Sequence, residues 1–440
     1  MTRNIFGTDG IRSPVGTSPF TRSELIQLGC AIGQWACEYY KKNNVRILLA
    51  QDTRESGSFI TAALATGLLP YGIDLIHVGT LPTPALYYIQ KKYDADCCIM
   101  VSASHNPYQD NGIKIFDTLN NKLSVMAEEY ITQLFYSTLP TSYTQLGTLH
   151  YATNAIDYYI QGIQSLFPKK FLDGKKIVLD CAHGATSYTA PALFQALDAH
   201  SIIINNTPTG RNINDNCGSI YPQILQQTVI DERADIGFAF DGDGDRIIAV
   251  NKYGEIKNGD DILALLINHP RYACEQTIVG TIMSNQGLAA FLHQHNKSFI
   301  RTHVGDKYIA AQLRTQNLLL GGEQSGHIIL YDYQPIGDGV VTALHILETL
   351  IATQNWNMHT FEPFPQVLIN IPIAHKKNLD DPSLQEIIAQ HESQLDNGRI
   401  VVRYSGTEPL LRVMVEERNK HTAHEIGTQL AHILQQQLRA

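Results

Sequence analysis

A chain of 440 residues is too long for one ordinary hydrophobic core, and its length sets an expectation of about three domains. Hydrophobic residues at 44% and charged residues at 17% describe a soluble globular protein, not a disordered or membrane-spanning one. The net charge of −9, with lysine pairs scattered at Lys41-Lys42, Lys91-Lys92 and Lys169-Lys170, argues against a nucleic-acid surface.

The opening residues carry Arg3, Asp9 and Arg12, so no apolar secretory segment is expected there. No apolar run approaches a membrane span; Ile262 to Ile267 is among the longest. Seven cysteines without a Cys-x-x-Cys pair read as reduced thiols, with adjacent Cys97 and Cys98 in the core. Together these features predict a cytoplasmic protein with no membrane partner.

Along the chain, Phe6-Gly7-Thr8-Asp9-Gly10-Ile11-Arg12 places an arginine on a glycine-rich loop. Arg46 to Ala50 reads as a buried strand, and residues 57 to 70 carry helical periodicity. Between them, Asp52-Thr53-Arg54 either caps a helix or closes an ion pair. The apolar run Cys97 to Val101 opens into Ser102-Ala103-Ser104-His105-Asn106-Pro107, the kind of strand end where active-site residues sit. Either serine hydroxyl could carry a phosphoryl group. Strand alternation sends Ser102 and Ser104 to the same side, so periodicity does not separate them. His105 suits a proton shuttle or a structural hydrogen bond. Lys114 is either a cation beside the nucleophile or a solvated strand lysine.

Ile177-Val178-Leu179 and Ile278 to Met283 begin two further strand-loop-helix units. Alternation of this kind predicts mixed α/β domains with largely parallel strands on a threefold-repeated plan. Within the second unit, Ile236 to Phe240 reads as a buried strand that runs into Asp241-Gly242-Asp243-Gly244-Asp245-Arg246. The glycines allow a tight turn, so the three carboxylates converge and require a cation between them. A hard divalent ion such as Mg²⁺ takes oxygen ligands of this kind. An EF-hand does not fit, because Arg246 and Lys252 stand where that loop needs Gly and Glu. Arg246 beside a metal is equipment for a phosphoryl group.

Gly321-Gly322-Glu323-Gln324-Ser325-Gly326-His327 lies between two apolar runs. Its carboxylate and hydroxyl suit sugar hydroxyls; the plain alternative is a hairpin turn. Glycines argue against a zinc-binding helix at Glu323 and His327, and the His293/His295 pair reads as solvated. Pro363 and Pro365 mark a linker. Beyond it, two strands bracket Arg403-Tyr404-Ser405-Gly406-Thr407-Glu408-Pro409, a nest for a phosphate; Arg412 either assists it or only faces solvent. A final helix carries Ile426, Leu430, Leu434 and Leu438.

Taken in order, these motifs resemble the α-D-phosphohexomutase superfamily, and the Gln324 form of the sugar loop, Val304-Gly305-Asp306 and the N-terminal Gly-Thr-Asp-Gly-Ile-Arg resemble its glucosamine branch. The resemblance implies three related α/β mixed-sheet domains (1–150, 151–252, 253–362) and a C-terminal α+β, TATA-box-protein-like domain (363–440) around a central cleft that closes over substrate. It implies reversible conversion of glucosamine 6-phosphate to glucosamine 1-phosphate through a 1,6-bisphosphate, supplying amino-sugar precursors for a bacterial cell wall. Ser104 would be the phosphoserine, with Ser104, Asp241, Asp243 and Asp245 holding Mg²⁺. Glu323 and Ser325 would contact sugar hydroxyls, and Arg403, Ser405, Gly406 and Thr407 the non-reacting phosphate. Arg12, Lys114, Arg246 and His327 would line the transfer centre, with His105, Lys114 and His327 competing as base. Glucosamine 1,6-bisphosphate or glucose 1,6-bisphosphate would prime Ser104, and a homodimer is the expected assembly. Ser13, Ala50-Gln51 and His183 depart from the family pattern without touching the serine, the aspartates or the phosphate grip. A glucose or mannose phosphomutase, a phosphatase and a sugar-phosphate sensor are the competing readings.

Overall fold

The computed structural model describes residues 4–7, 9–42, 44–117, 122–137, 145–373, 376–404 and 410–439. The chain divides into two compact units, Met1–Glu275 with Val304–His359, and Gln276–His303 with Thr360–Ala440. The stretch 253–362 therefore contributes to both units.

The first unit holds two mixed sheets. Strands β1 (Ile11–Pro14), β2 (Arg46–Gln51), β3 (Asp74–Thr80), β4 (Cys97–Val101), β5 (Asp110–Asp117) and β6 (Leu149–Tyr151) lie in the order β1-β5-β4-β2-β3-β6. β2 pairs in parallel with β3 and β4, and β3 with β6; β5 runs antiparallel to β4 and β1. The middle of β2 and all of β4 are buried, which is why they read as unbroken apolar runs. The second sheet takes β7 (Lys176–Asp180), β8 (His200–Ile204), β9 (Ile236–Phe240), β10 (Ile247–Asn251) and β11 (Ile256–Lys257) in the order β11-β10-β9-β7-β8. Here β7 is parallel to β8 and β9, while β10 is antiparallel to β9 and β11.

The sequence predicts largely parallel strands, and the structure modifies this. In each sheet a parallel centre gives way to an antiparallel hairpin, β4–β5 in the first and β9–β10 in the second. Their connections are too short for a parallel crossover, which needs a dozen residues or more. The serine loop and the aspartate loop are those two hairpin connections, so the repeat is visible at the functional loops. Leu320–Gly322 and Ile328–Leu330 form a third hairpin around Glu323 to His327.

In the second unit, Thr277–Thr281 and Ser298–Thr302 pair in parallel across the helix Gln286–Gln294. Leu410–Glu416 runs antiparallel between Gln366–Pro372 and Arg399–Tyr404. The helix Lys420–Arg439 packs Ile426, Leu430 and Leu434 onto that α+β layer. The sequence reading did not single out Gln366–Pro372, although its alternate residues Val367, Ile369 and Ile371 join this core.

Candidate active site

β9 is buried along its whole length and delivers Asp241 at its end; β10 resumes at Ile247. Gly244 turns the intervening loop with φ +74°. Gly242 permits close approach, since a Cβ there would meet Ser104 O at 2.6 Å. Asp241, Asp243 and Asp245 are buried, with one oxygen from each within 4.8 Å of the others. Asp243 Oδ1 and Asp245 Oδ1 have no hydrogen-bond partner. Buried carboxylate oxygens left unpaired are costly, and a hard cation is the species that satisfies such a set. The donor set therefore fits Mg²⁺.

Lys114 supplies the positive charge among these side chains. Its Nζ lies 2.8 Å from Asp243 Oδ2, 3.0 Å from Asp245 Oδ2 and 3.3 Å from Asp9 Oδ2. Burial works against its charge, but Asp243, Asp245 and Asp9 outweigh burial and hold the ammonium firmly protonated. Lys114 is thus no solvated strand lysine. Burial, with Asp245 and Asp243 adding repulsion, pushes the Asp241 carboxyl well above the usual range. For Asp245 burial is outweighed by Lys114, His327 and Arg246, which hold it well below that range. Thr83 adds a hydroxyl to Asp243 Oδ2 at 2.5 Å and its N–H to Asp243 O at 2.9 Å.

Ser104 Oγ donates to Asp241 Oδ2 at 2.6 Å. Ser102 Oγ is committed elsewhere, donating to Asp52 Oδ2 at 2.7 Å and accepting Ser104 N–H at 2.9 Å. Ser104 has φ +53°, a left-handed conformation costing a non-glycine residue about 1 kcal/mol. It is not on an extended strand, so alternation did not apply. Arg54 holds the loop in this shape. Fully buried, it pairs with Asp52 Oδ2 at 2.9 Å and donates to four main-chain carbonyls, those of Ser104, Asn106, Pro107 and Asp110. The ion-pair reading of Asp52-Thr53-Arg54 is the one observed. His105 Nδ1 lies 3.3 Å from Ser104 Oγ, and burial, helped by Arg246 and Arg12, pushes its pKa down to about 4.

On the opposite side, His327 Nε2 lies 3.3 Å from Asp306 Oδ2, and its Nδ1 3.7 Å from Asp245 Oδ1. Gly337 N–H also points at Nε2, at 3.1 Å, which suits a neutral ring. Two carboxylates outweigh one peptide N–H: burial lowers the imidazole pKa, but Asp306 and Asp245 raise it to about 9. Lys122 bridges Asp9 and Asp306, and Arg12 pairs with Asp9 at 2.5 Å. Glu323 is buried and accepts Gly305 N–H at 2.9 Å; Ser325 is exposed on the same hairpin loop. Arg246 is favoured in its charged form by Asp241, Asp245, Glu323 and Asp9 against burial.

The first unit thus brings together Ser104, His105, Lys114, the three aspartates and His327. Arg54, Thr83, Lys122 and Asn214 belong to this assembly; of these the sequence marks only Arg54, as one side of an ion pair, and not its hold on the serine loop. Asp306 stands in Val304-Gly305-Asp306, where the sequence gives it no role of its own. In the second unit, Arg403 is half-buried on Arg399–Tyr404 and faces Arg412 across the strand pair; burial and then Arg412 push its pKa down. Ser405, Gly406 and Thr407 lie outside the described residues.

A second set of metal-type side chains is His269, His345 and Glu348. Arg271 N–H donates to His269 Nδ1 at 3.1 Å, so the ring hydrogen sits on Nε2 and points to Glu348 Oε2 at 2.8 Å. His345 Nδ1 reaches the same oxygen at 3.1 Å. This cluster is a closed hydrogen-bond network. His293 and His295 are exposed. Among the described residues no helix is long and apolar enough to cross a membrane.

Four family models match in order: phosphoglucomutase/phosphomannomutase alpha/beta/alpha domain I over residues 3–140, domain II over 157–254, domain III over 258–361 and the C-terminal domain over 368–433. A phosphoglucosamine mutase of Chlamydia felis is 40% identical, covering 100% of this chain and 99% of that one. A phosphoglucomutase/phosphomannomutase family protein from Burkholderia thailandensis shares the fold at TM-score 0.81 and 22% identity, covering 98% of each chain. An Aspergillus fumigatus N-acetylphosphoglucosamine mutase, solved with GlcNAc-6P and magnesium, aligns at TM-score 0.63 and 18% identity, covering 90% of this chain and 85% of that one.

Proposed function

The chain belongs to the phosphoglucomutase/phosphomannomutase family, and from that premise we propose that it interconverts glucosamine 6-phosphate and glucosamine 1-phosphate by passing a phosphoryl group through Ser104. The observation that carries this reading is Ser104 Oγ at 2.6 Å from Asp241, beside carboxylate oxygens that have no hydrogen-bond partner. Phosphorylated Ser104 gives its phosphoryl to O1 of the 6-phosphate, forming a 1,6-bisphosphate and freeing the serine hydroxyl. The bisphosphate turns round, its 6-phosphoryl returns to Ser104, and the 1-phosphate leaves. Phosphoryl transfer asks mainly for positioning and charge neutralisation.

Asp241, Asp243, Asp245 and the Ser104 side chain would hold Mg²⁺, which when bound neutralises charge on the phosphoryl oxygens. Arg12, Arg246, Lys114 and a protonated His327 supply further positive charge, and His105, kept neutral by burial 3.3 Å from Ser104 Oγ, takes the sugar hydroxyl's proton. Glu323 and Ser325 bind sugar hydroxyls. Arg403 grips the non-reacting phosphate with Ser405, Gly406 and Thr407. Arg403 stands opposite Arg412 across the strand pair, so two guanidinium-bearing residues occupy one register, which supports that assignment. Glucosamine or glucose 1,6-bisphosphate primes the serine. Seven free cysteines support a cytoplasmic enzyme, and a homodimer is its proposed assembly.

The test is turnover on the 6-phosphates of glucosamine, glucose and mannose with Mg²⁺ and a bisphosphate primer. Isomerisation favouring glucosamine is expected. Release of inorganic phosphate without isomerised sugar, or no conversion at all, would contradict the reading.

A further inference from the structure

Ser104 sits at the seam of the two sheets, and its main-chain oxygen accepts one donor from each side. Arg54, from the loop after β2, gives a guanidinium N–H at 2.9 Å. Asn214, from the connection after β8, gives its amide Nδ2 at 2.9 Å. The same two side chains also bracket Asn106 O, at 2.8 and 3.3 Å. The peptide between Ser104 and His105 is therefore gripped from both sides, and it cannot rotate without losing both donors.

Asn214 is itself held from the second sheet. It is buried, with φ +59°, and its N–H donates to Ala182 O at 2.9 Å. Asp180, at the end of β7, accepts Ala182 N–H and Gly218 N–H, each at 2.9 Å, and so ties the Asn214 loop's far end to the turn that receives the Asn214 N–H. The amide uses only its nitrogen: Asn214 Oδ1 is buried with no partner. A side chain kept in the interior for its N–H groups alone is placed for what those groups hold. Beneath the clamp lies Gly242 of the aspartate loop, whose own approach to Ser104 O leaves no room for a Cβ.

We propose that Asn214 is a positioning residue for phosphoryl transfer: by clamping the Ser104 and Asn106 carbonyls from the second sheet, it keeps Ser104 in its left-handed conformation with Oγ aimed at Asp241. This rests on Ser104 being the phosphoryl carrier. The clamp acts on the geometry of transfer and not on the grip for the substrate's distal phosphate, so its loss lowers kcat and leaves KM nearly unchanged. Misplacement of a reacting group by about 1 Å costs on the order of 100-fold in rate.

Two variants separate positioning from packing. Asn214→Ala removes the donor, leaves Arg54 as the sole clamp, and is expected to lower kcat about 10-fold. Asn214→Asp keeps shape and volume but puts a carboxylate oxygen against two carbonyl oxygens, and is expected to lower kcat about 100-fold. A packing role predicts the reverse order, with the isosteric variant milder. The experiment measures kcat, KM and Tm of both, together with phosphopeptide mapping after incubation with glucose 1,6-bisphosphate. If either variant fails to fold, Asn214→Ser replaces it; its hydroxyl is too short to reach Ser104 O, and a loss like that of alanine is expected. Phosphate on Ser104, KM within about threefold and aspartate worse than alanine (or than serine) support the clamp. Phosphate on Ser104 with kcat within twofold of wild type, or aspartate milder than alanine, overturns the clamp alone. Wild-type protein carrying phosphate on another residue overturns the transfer reading itself.

Discussion

Two clusters in the first unit offer three metal-type side chains apiece, and they differ in what their atoms lack. In the His269, His345 and Glu348 cluster, one carboxylate oxygen receives both imidazole nitrogens at 2.8 and 3.1 Å. In the Asp241, Asp243 and Asp245 cluster, one lysine reaches two of the three buried carboxylates, and Asp243 Oδ1 and Asp245 Oδ1 have no hydrogen-bond partner. Convergence of ligand types is common to both; an unmet electrostatic demand is not. Only the second cluster needs a further cation, and only there does a hydroxyl from another loop point in.

The largest effect should follow from weakening that demand. Asp243→Asn removes a metal ligand and is expected to lower kcat about 1000-fold, close to 4 kcal/mol of transition-state stabilisation. His345→Ala should leave kcat within about twofold while lowering Tm, because it opens a buried packing gap. Equal losses of activity in the two variants would erase the distinction between the clusters.

Next comes the lysine. Lys114→Met takes the lysine from two buried carboxylates, Asp243 and Asp245, and is expected to destabilise the Mg²⁺-free protein by about 3–5 kcal/mol. Added Mg²⁺ should restore part of this, since a ligand at 100 times its Kd stabilises the native state by about 2.7 kcal/mol. Thermal melts with and without Mg²⁺ measure it. No Mg²⁺-dependent rise in Tm in either wild type or variant would contradict the acidic set as a metal site.

The smallest effect belongs to Glu348. Hydrogen bonds from His269 and then His345 lower its pKa from 4.5 to about 2. A depressed carboxyl contributes stability above its unfolded pKa and loses it as pH falls toward the folded value. Wild type should therefore lose stability more steeply than Glu348→Gln between pH 4.5 and about 2. The side chain is 36% exposed, so the difference should not exceed about 1 kcal/mol. Parallel acid melting curves would show the network to be worth less than this reasoning requires.

The aspartate loop was legible because its chemistry is contiguous: carboxylates and glycines stand side by side in the chain. The buried strand before it, β9, showed as an apolar run, as did β2, β4 and β7. Ser104 could not be told from Ser102 by alternation, because its left-handed backbone breaks the period of two. The contacts of Arg54 beyond its ion pair, and those of Asn214 and Thr83, were illegible for a different reason. Their partners lie 50, 110 and 160 residues away, and nothing local marks an arginine that will spend its donors on carbonyls of another hairpin. The hairpin form of the two functional connections was missed because apolar strands look alike whichever way they run.

Intact-mass analysis with peptide mapping, after incubation with Mg²⁺ and glucose 1,6-bisphosphate, bears most directly on the pairing of Ser104 with the acidic trio. One phosphoryl group on Ser104, absent from Ser104→Ala together with mutase turnover, is the predicted result. Phosphate on a different side chain, or full turnover by Ser104→Ala, would contradict it.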